Sequence, residues 1–237
     1  MTKYENQIIH GDCLEVMRSF EAKSVDFVIT SPPYNVGNNN MTEGKYGKYE
    51  DKKTKEEYYK WLKEVIDECL RITKSHIFFN IQMLSDNKVS VLQLMGDYRD
   101  KIKDIIIWNK RQVAPAIEPG VMNSKFEFII IFSDSTPEKR KFDEASFAGN
   151  FDNVIEGKNA SQENKWADKH KAIFPVYLPE TIIRKFTKEG DLILDPFMGI
   201  GTTARACRNT DRNYVGIEIN PEYIAIAEDR LRQEILL

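Results

Sequence analysis

A chain of 237 residues, 41% hydrophobic and 11% aromatic, has length for one domain with a sizeable core, residues 1–237. Its net charge of −3 excludes a strongly basic protein, so any surface for nucleic acid must be local. No apolar run reaches the length of a membrane span, the N-terminus lacks a signal-peptide pattern, and Cys13, Cys69 and Cys207 form neither a zinc spacing nor a disulfide framework, which together fit a cytoplasmic protein.

In chain order, short apolar runs predict strands at 7–10 and 25–30. Between them, Asp12 can cap a helix that begins at Cys13. The second run ends in Thr30-Ser31-Pro32-Pro33-Tyr34-Asn35. Two prolines fix their own φ angles and restrict the residues before them, so the backbone leaving this strand is stiff. Ser31 adds a hydroxyl acceptor, and Tyr34 adds a flat ring able to stack on a planar substrate. Residues 35–53 are polar and read as a long loop. Next, Tyr58, Leu62, Val65, Ile66, Cys69 and Leu70 fall on one helical face, and Thr54 with Glu57 forms a capping box. Strands follow at 76–81, 104–108 and 126–132. Residues 133–169 are charged and poorly periodic, and read as an irregular insertion. Two further strands, 191–195 and 213–219, precede a helix capped by Asn220 with Pro221 at its first position. The alternation predicts a parallel-rich sheet with helices on both faces.

The clearest chemical signal lies between the last two strands. The first ends in Asp195, a turn follows with Gly199 and Gly201, and a helix begins near Thr202. Glu218 ends the second strand, about twenty residues after Gly199, the spacing of a carboxylate that grips ribose hydroxyls. No Gly-Lys-Ser/Thr is present, so this is not a phosphate-binding P-loop. Asp195 would repel a pyrophosphate but suits an ammonium or a sulfonium. S-adenosylmethionine (SAM) carries both, with a ribose for Glu218 and a carboxylate for a helix N-terminus. A tight turn that binds nothing is the competing reading.

The stretches "TSPPYN" and "DPFMGIGTT" together resemble amino DNA methyltransferases, which methylate N4 of cytosine or N6 of adenine. The catalytic segment precedes the SAM segment, as in the permuted order called the beta class. "IIHGDCLEVM" is similar to the segment whose Asp, here Asp12, meets the SAM adenosine. "HKAIFPVYLPE", with His170, Ala172, Phe174 and Pro175, is similar to the segment that lines the cofactor pocket, and "DIIIWNK" resembles a strand beside the base pocket.

The resemblance implies an α/β, Rossmann-like methyltransferase fold. It implies catalysis at Ser31, Pro32, Pro33 and Tyr34, and cofactor contacts at Asp12, Thr30, Phe174, Asp195, Phe197, Gly199, Gly201, Thr202 and Glu218. It also implies a base flipped out of double-stranded DNA. Residues 133–169 fall at the position of a target-recognition region. Ser in the first motif position favours cytosine N4, with adenine N6 as the alternative. RNA or protein-glutamine methylation fits less well, because those enzymes place the SAM loop first. A nucleotide-dependent oxidoreductase leaves "TSPPYN" unexplained. A homodimer and a cognate restriction endonuclease are the partners implied, with no membrane and no metal.

Overall fold

The computed structural model describes residues 4–36, 52–111, 113, 119–134, 141–142, 145–158 and 175–233. In chain order the elements are β1 (Gln7–His10), α1 (Cys13–Arg18), β2 (Phe27–Thr30), α2 (Lys55–Ile72), β3 (His76–Ile81), α3 (Lys88–Asp97), β4 (Ile102–Lys110), β5 (Phe126–Ser133), β6 (Val154–Gly157), α4 (Tyr177–Phe186), β7 (Leu192–Asp195), α5 (Thr202–Arg208), β8 (Asn213–Glu218) and α6 (Pro221–Gln233).

The strands form one sheet, ordered β1-β8-β7-β2-β3-β5-β4-β6. The run from β1 to β3 is parallel, β5 is antiparallel to both its neighbours, and β6 lies parallel to β4 at the edge. All four residues of β2 and of β7 are buried, because helices cover both faces of a parallel sheet. Alternate side chains feed two cores. Val28, Leu192, Leu194, Val215 and Ile217 pack with α1, α2 and α3. Phe27, Ile29, Ile193 and Tyr214 pack with α4, α5 and α6 on the other side. This is the α/β architecture expected, with helices on both faces.

Local signals explain most element ends. Glu57 N–H donates to Thr54 Oγ1 at 3.2 Å, and Thr54 N–H donates to Glu57 Oε2 at 2.9 Å, so the capping box is present. Asp12 caps α1 by accepting from Leu14 N–H and Glu15 N–H at 2.9 and 3.2 Å. Asn220 Oδ1 accepts from Glu222 N–H at 2.9 Å and starts α6. The three cysteines are buried free thiols; burial pushes Cys13 up to about 12 and also raises Cys69 and Cys207, so none is a ready nucleophile. Among the described residues no helix is long and apolar enough to cross a membrane.

Three elements lie outside the sequence expectation. β6 falls inside the stretch 133–169, where only four residues pair and Val154 stays exposed, so no strand pattern stands out. α3 exposes Val89 and Leu92, which blurs its helical period. α4 carries Pro179 in its first turn, where the missing N–H would lack an intrahelical partner anyway.

Phe186, at the end of α4, anchors the chain after β5. Its ring lies 4.9 Å from Phe78, 5.0 Å from Phe142, 5.2 Å from Phe147 and 5.6 Å from Phe151. Ser146 N–H adds a 2.8 Å bond to the Lys185 carbonyl. Phe186→Ala is expected to cost about 3–5 kcal/mol in denaturant unfolding and to speed proteolysis between residues 141 and 152. Unchanged stability with unchanged cleavage would remove Phe186 as the anchor.

Candidate active site

The site begins where two neighbouring parallel strands end. β2 delivers Thr30 and the Ser31–Asn35 turn, and β7 delivers Asp195 and the Phe197–Gly201 turn. Thr30 Oγ1 donates to Asp195 Oδ1 at 2.7 Å, across 165 residues of sequence. Thr203 Oγ1 donates to Asp195 Oδ2 at 2.6 Å, and Phe197 N–H donates to Oδ1 at 3.0 Å. Both oxygens of Asp195 are thus engaged, and the residue is 1% exposed. In the structure Thr30 and Asp195 are buried and bond each other, forming a floor beneath the two turns. Gly201 and Thr202 are buried as well. Gly201 has φ +81° and sits where a Cβ would come within 3.0 Å of Ala227 Cβ, so glycine is required for the turn to pack on α6.

The solvent-facing members of the expected cofactor set are Asp12, Phe197, Gly199 and Glu218. Glu218 is anchored by Gly199 N–H to one oxygen and Asn220 N–H to the other, each at 2.8 Å. Burial raises its pKa, against the pull of those two bonds. Asp12 belongs to the same mouth, because His10 pairs with Glu218 across β1 and β8, and Gly11 N–H donates to the Glu218 carbonyl at 3.1 Å. Only one Asp12 oxygen is used in capping. Phe174, His170 and Ala172 lie outside the described residues, as do Tyr46 and Tyr49 of the polar stretch after Asn35.

The Ser31–Tyr34 turn is held from three sides. Tyr58 O–H, from α2, donates to the Pro33 carbonyl at 2.6 Å. Asn87, just before α3, donates to the Tyr34 carbonyl at 3.0 Å. Asn35, at φ +59°, uses its side chain to bond both backbone groups of Lys53, at 2.7 and 3.0 Å. Among the described residues nothing donates to the Pro32 carbonyl, which lies between these tethers. The Tyr34 hydroxyl reaches inward to Glu127 on β5 and Asn80 on β3, each at 2.8 Å. Trp61, one turn along α2 from Tyr58, meets the Phe197 ring at 5.4 Å. One helix therefore touches both turns.

Sequence reasoning missed Tyr58, Trp61, Asn80, Asn87, Lys110 and Glu127 as site residues. Tyr58 reads as a core position on a helical face, and it is one; its hydroxyl does the second job. Glu127 and Lys110 break apolar strands with a charge, and that interruption is the signal that could have found them.

A family model described as DNA methylase matches residues 25–229. The type II methyltransferase M.HpaI of Haemophilus parainfluenzae is 29% identical over 245 residues, covering 97% of this chain and 75% of that protein. Among solved structures, PvuII DNA methyltransferase (cytosine-N4-specific) superposes with a TM-score of 0.74 at 20% identity, covering 97% of this chain and 87% of that one. The M1.HpyAVI–SAM complex gives 0.67 at 24% identity, with 95% and 98% covered.

Asp195 gives the site a pH signature. Burial raises its pKa to about 6, opposed by the bonds from Thr203, Thr30 and Phe197. A folded-state pKa above the unfolded one means that the folded protein holds the proton more tightly. The linked stability is full below pH ~4 and is lost as pH rises through about 6, a change of about 3 kcal/mol. Unfolding free energies of wild type and Asp195→Asn, compared from pH 4 to 7.5, are expected to show wild type losing roughly that amount relative to the variant. A pH-independent difference between the two would exclude the titration.

Proposed function

We propose that this chain, which belongs to the DNA methylase family, moves a methyl group from SAM to an exocyclic amine of a base in double-stranded DNA, with cytosine N4 the favoured target. Family membership makes it a DNA methyltransferase. The observation that carries the finer reading is the 2.7 Å bond between Thr30 and Asp195. It fixes the Ser31–Tyr34 turn beside the Gly199 turn at the carboxyl ends of parallel strands, where ligands of such sheets bind.

The residues present fit SAM. Glu218 keeps lone pairs for ribose hydroxyls after its two backbone bonds, and Asp12 keeps its second oxygen for the adenosine. Gly199 brings bare backbone to the mouth, and Phe197 brings an aromatic face. Bound there, SAM supplies an electrophilic methyl group on a positive sulfur.

The chain's own part is to prepare the nucleophile. An aromatic amine is a poor one, because its lone pair is shared with the ring. The Ser31 oxygen and the Pro32 carbonyl accept its two hydrogens and favour a nitrogen whose lone pair is localised. The neighbouring carbonyls of Pro33 and Tyr34 are already occupied, which leaves Pro32 for the amine. Orientation and fixed dipoles do the catalytic work. A base stacked in a duplex cannot enter this mouth, so it is flipped out, and Tyr34 lies against it. Residues 133–169 are the segment read as meeting the surrounding sequence. Their small number supports a homodimer on the duplex, and the relative's type II designation supports a cognate endonuclease.

Ser31 in the first motif position supports cytosine; adenine N6 is the second reading. Incubating DNA with the protein and labelled SAM, then identifying the nucleoside by mass spectrometry, separates them. 4-Methylcytosine is expected, 6-methyladenine would move the target, and an unmodified DNA pool would overturn the assignment. Tyr34→Ala is expected to lower turnover by about 10²-fold or more while SAM affinity by calorimetry stays within about threefold. Equal losses in both would mean that Tyr34 belongs to the cofactor seat.

A further inference from the structure

Beneath the Ser31–Tyr34 turn, three neighbouring strands each place one polar side chain. Asn80 comes from β3, Glu127 from β5 and Lys110 from β4, and each is more than nine-tenths buried. Lys110 Nζ pairs with Glu127 Oε1 at 2.9 Å. A buried ion pair is a poor way to stabilise a core compared with apolar packing, so this one calls for another explanation. Its other oxygen supplies one. Glu127 Oε2 accepts from Tyr34 O–H and from Asn80 Nδ2, each at 2.8 Å. Asn80 Nδ2 also donates to the Tyr34 hydroxyl at 2.8 Å and lies 3.3 Å from Ser31 Oγ.

The directions of these bonds follow from counting hydrogens. A carboxylate paired with an ammonium has none to give, so Tyr34 must donate its only hydrogen to Glu127. The same carboxylate would repel the Asn80 amide oxygen, which fixes the Asn80 nitrogen toward it. Tyr34 and Ser31 oxygens are 3.0 Å apart. With the Tyr34 hydrogen committed, that contact is a bond only if Ser31 is the donor. The Ser31 hydrogen therefore points inward, and beside the long 3.3 Å bond from Asn80 its oxygen keeps a lone pair for a substrate.

We propose that Lys110 and Glu127 are positioning residues: through Tyr34 they turn the Ser31 hydroxyl so that its oxygen can only accept, which selects an amine over a carbonyl at the reacting position. This rests on the amine-methylating reading above. Lys110 sets the sign of the device. In Glu127→Gln the amide oxygen turns to Lys110, leaving its NH₂ to donate to Tyr34. Tyr34 then donates to Ser31, and the Ser31 hydrogen turns outward against the amine.

The test compares wild type, Glu127→Gln, Ser31→Ala and the double variant in single-turnover methylation of duplex DNA. Glu127→Gln is expected to slow transfer by about 10²-fold in the wild-type background. It should change the rate by less than about threefold in the Ser31→Ala background, since residues acting as a unit are not additive. A readout without any donor is the affinity for duplexes whose target amine is replaced by a carbonyl oxygen. The preference for amine over carbonyl should fall about tenfold in Glu127→Gln relative to wild type. An unchanged preference, a Glu127→Gln rate within about threefold of wild type, or an equal loss in both backgrounds would overturn the proposal. If Glu127→Gln fails to fold, Lys110→Met/Glu127→Leu removes both charges together and should show the same loss; a wild-type rate there would also overturn it. Wild type that methylates no DNA would instead sink the underlying reading.

Discussion

The carboxylate of Asp195 sits where no water reaches it and is held by two hydroxyls and a peptide N–H. A buried ionised carboxylate is tolerable only when its oxygens are well bonded. Here the requirement is met by groups from β2, the turn after β7, and α5. Satisfying one buried charge therefore sets the spacing of the strand ends that bear the two functional turns. The sheet supplies parallel strands, and Asp195 fixes how their ends meet.

A second tie runs over the top of that floor. α2 contributes Tyr58 to the Pro33 carbonyl and Trp61 to the Phe197 ring. Both residues also face the first core, so the helix is positioned by apolar packing and its polar or aromatic tips then act on the turns. The prolines matter for the same reason. They give a backbone with few alternatives, so a few tethers suffice to aim its carbonyls.

What the sequence reveals depends on how local the physics is. The capping pair Thr54 and Glu57, the six-residue face of α2 and the glycine turn before Thr202 are legible because each is a relation between residues a few positions apart. The two motifs are legible through a family resemblance that ties 30–35 to 195–203. The contact of Thr30 with Asp195 is not local, and from sequence both look like pocket residues. Only the sheet order shows that they satisfy one another, while Asp12, Phe197, Gly199 and Glu218 stay partly exposed. Glu127 and Lys110 stand 17 residues apart on separate strands, and their pairing depends on the antiparallel register of β4 and β5. β6 was beyond reach because four residues, of which only Ile155 is buried, have too short a pattern to stand out from the polar chain around them.

Asn35 bonds the N–H and the carbonyl of Lys53 with one side chain, as a neighbouring strand would. The chain thus leaves the Ser31–Asn35 turn and is tied back to it at Lys53. Whatever stretch connects the two ends, its length bears little on the turn, since doubling a connecting loop adds only about 0.6 kcal/mol of closure entropy. Such an arrangement separates two rates of evolutionary change. Changes in the length of the stretch between residues 36 and 52 would then be expected to accumulate faster than changes in the Ser31–Asn35 turn beside it.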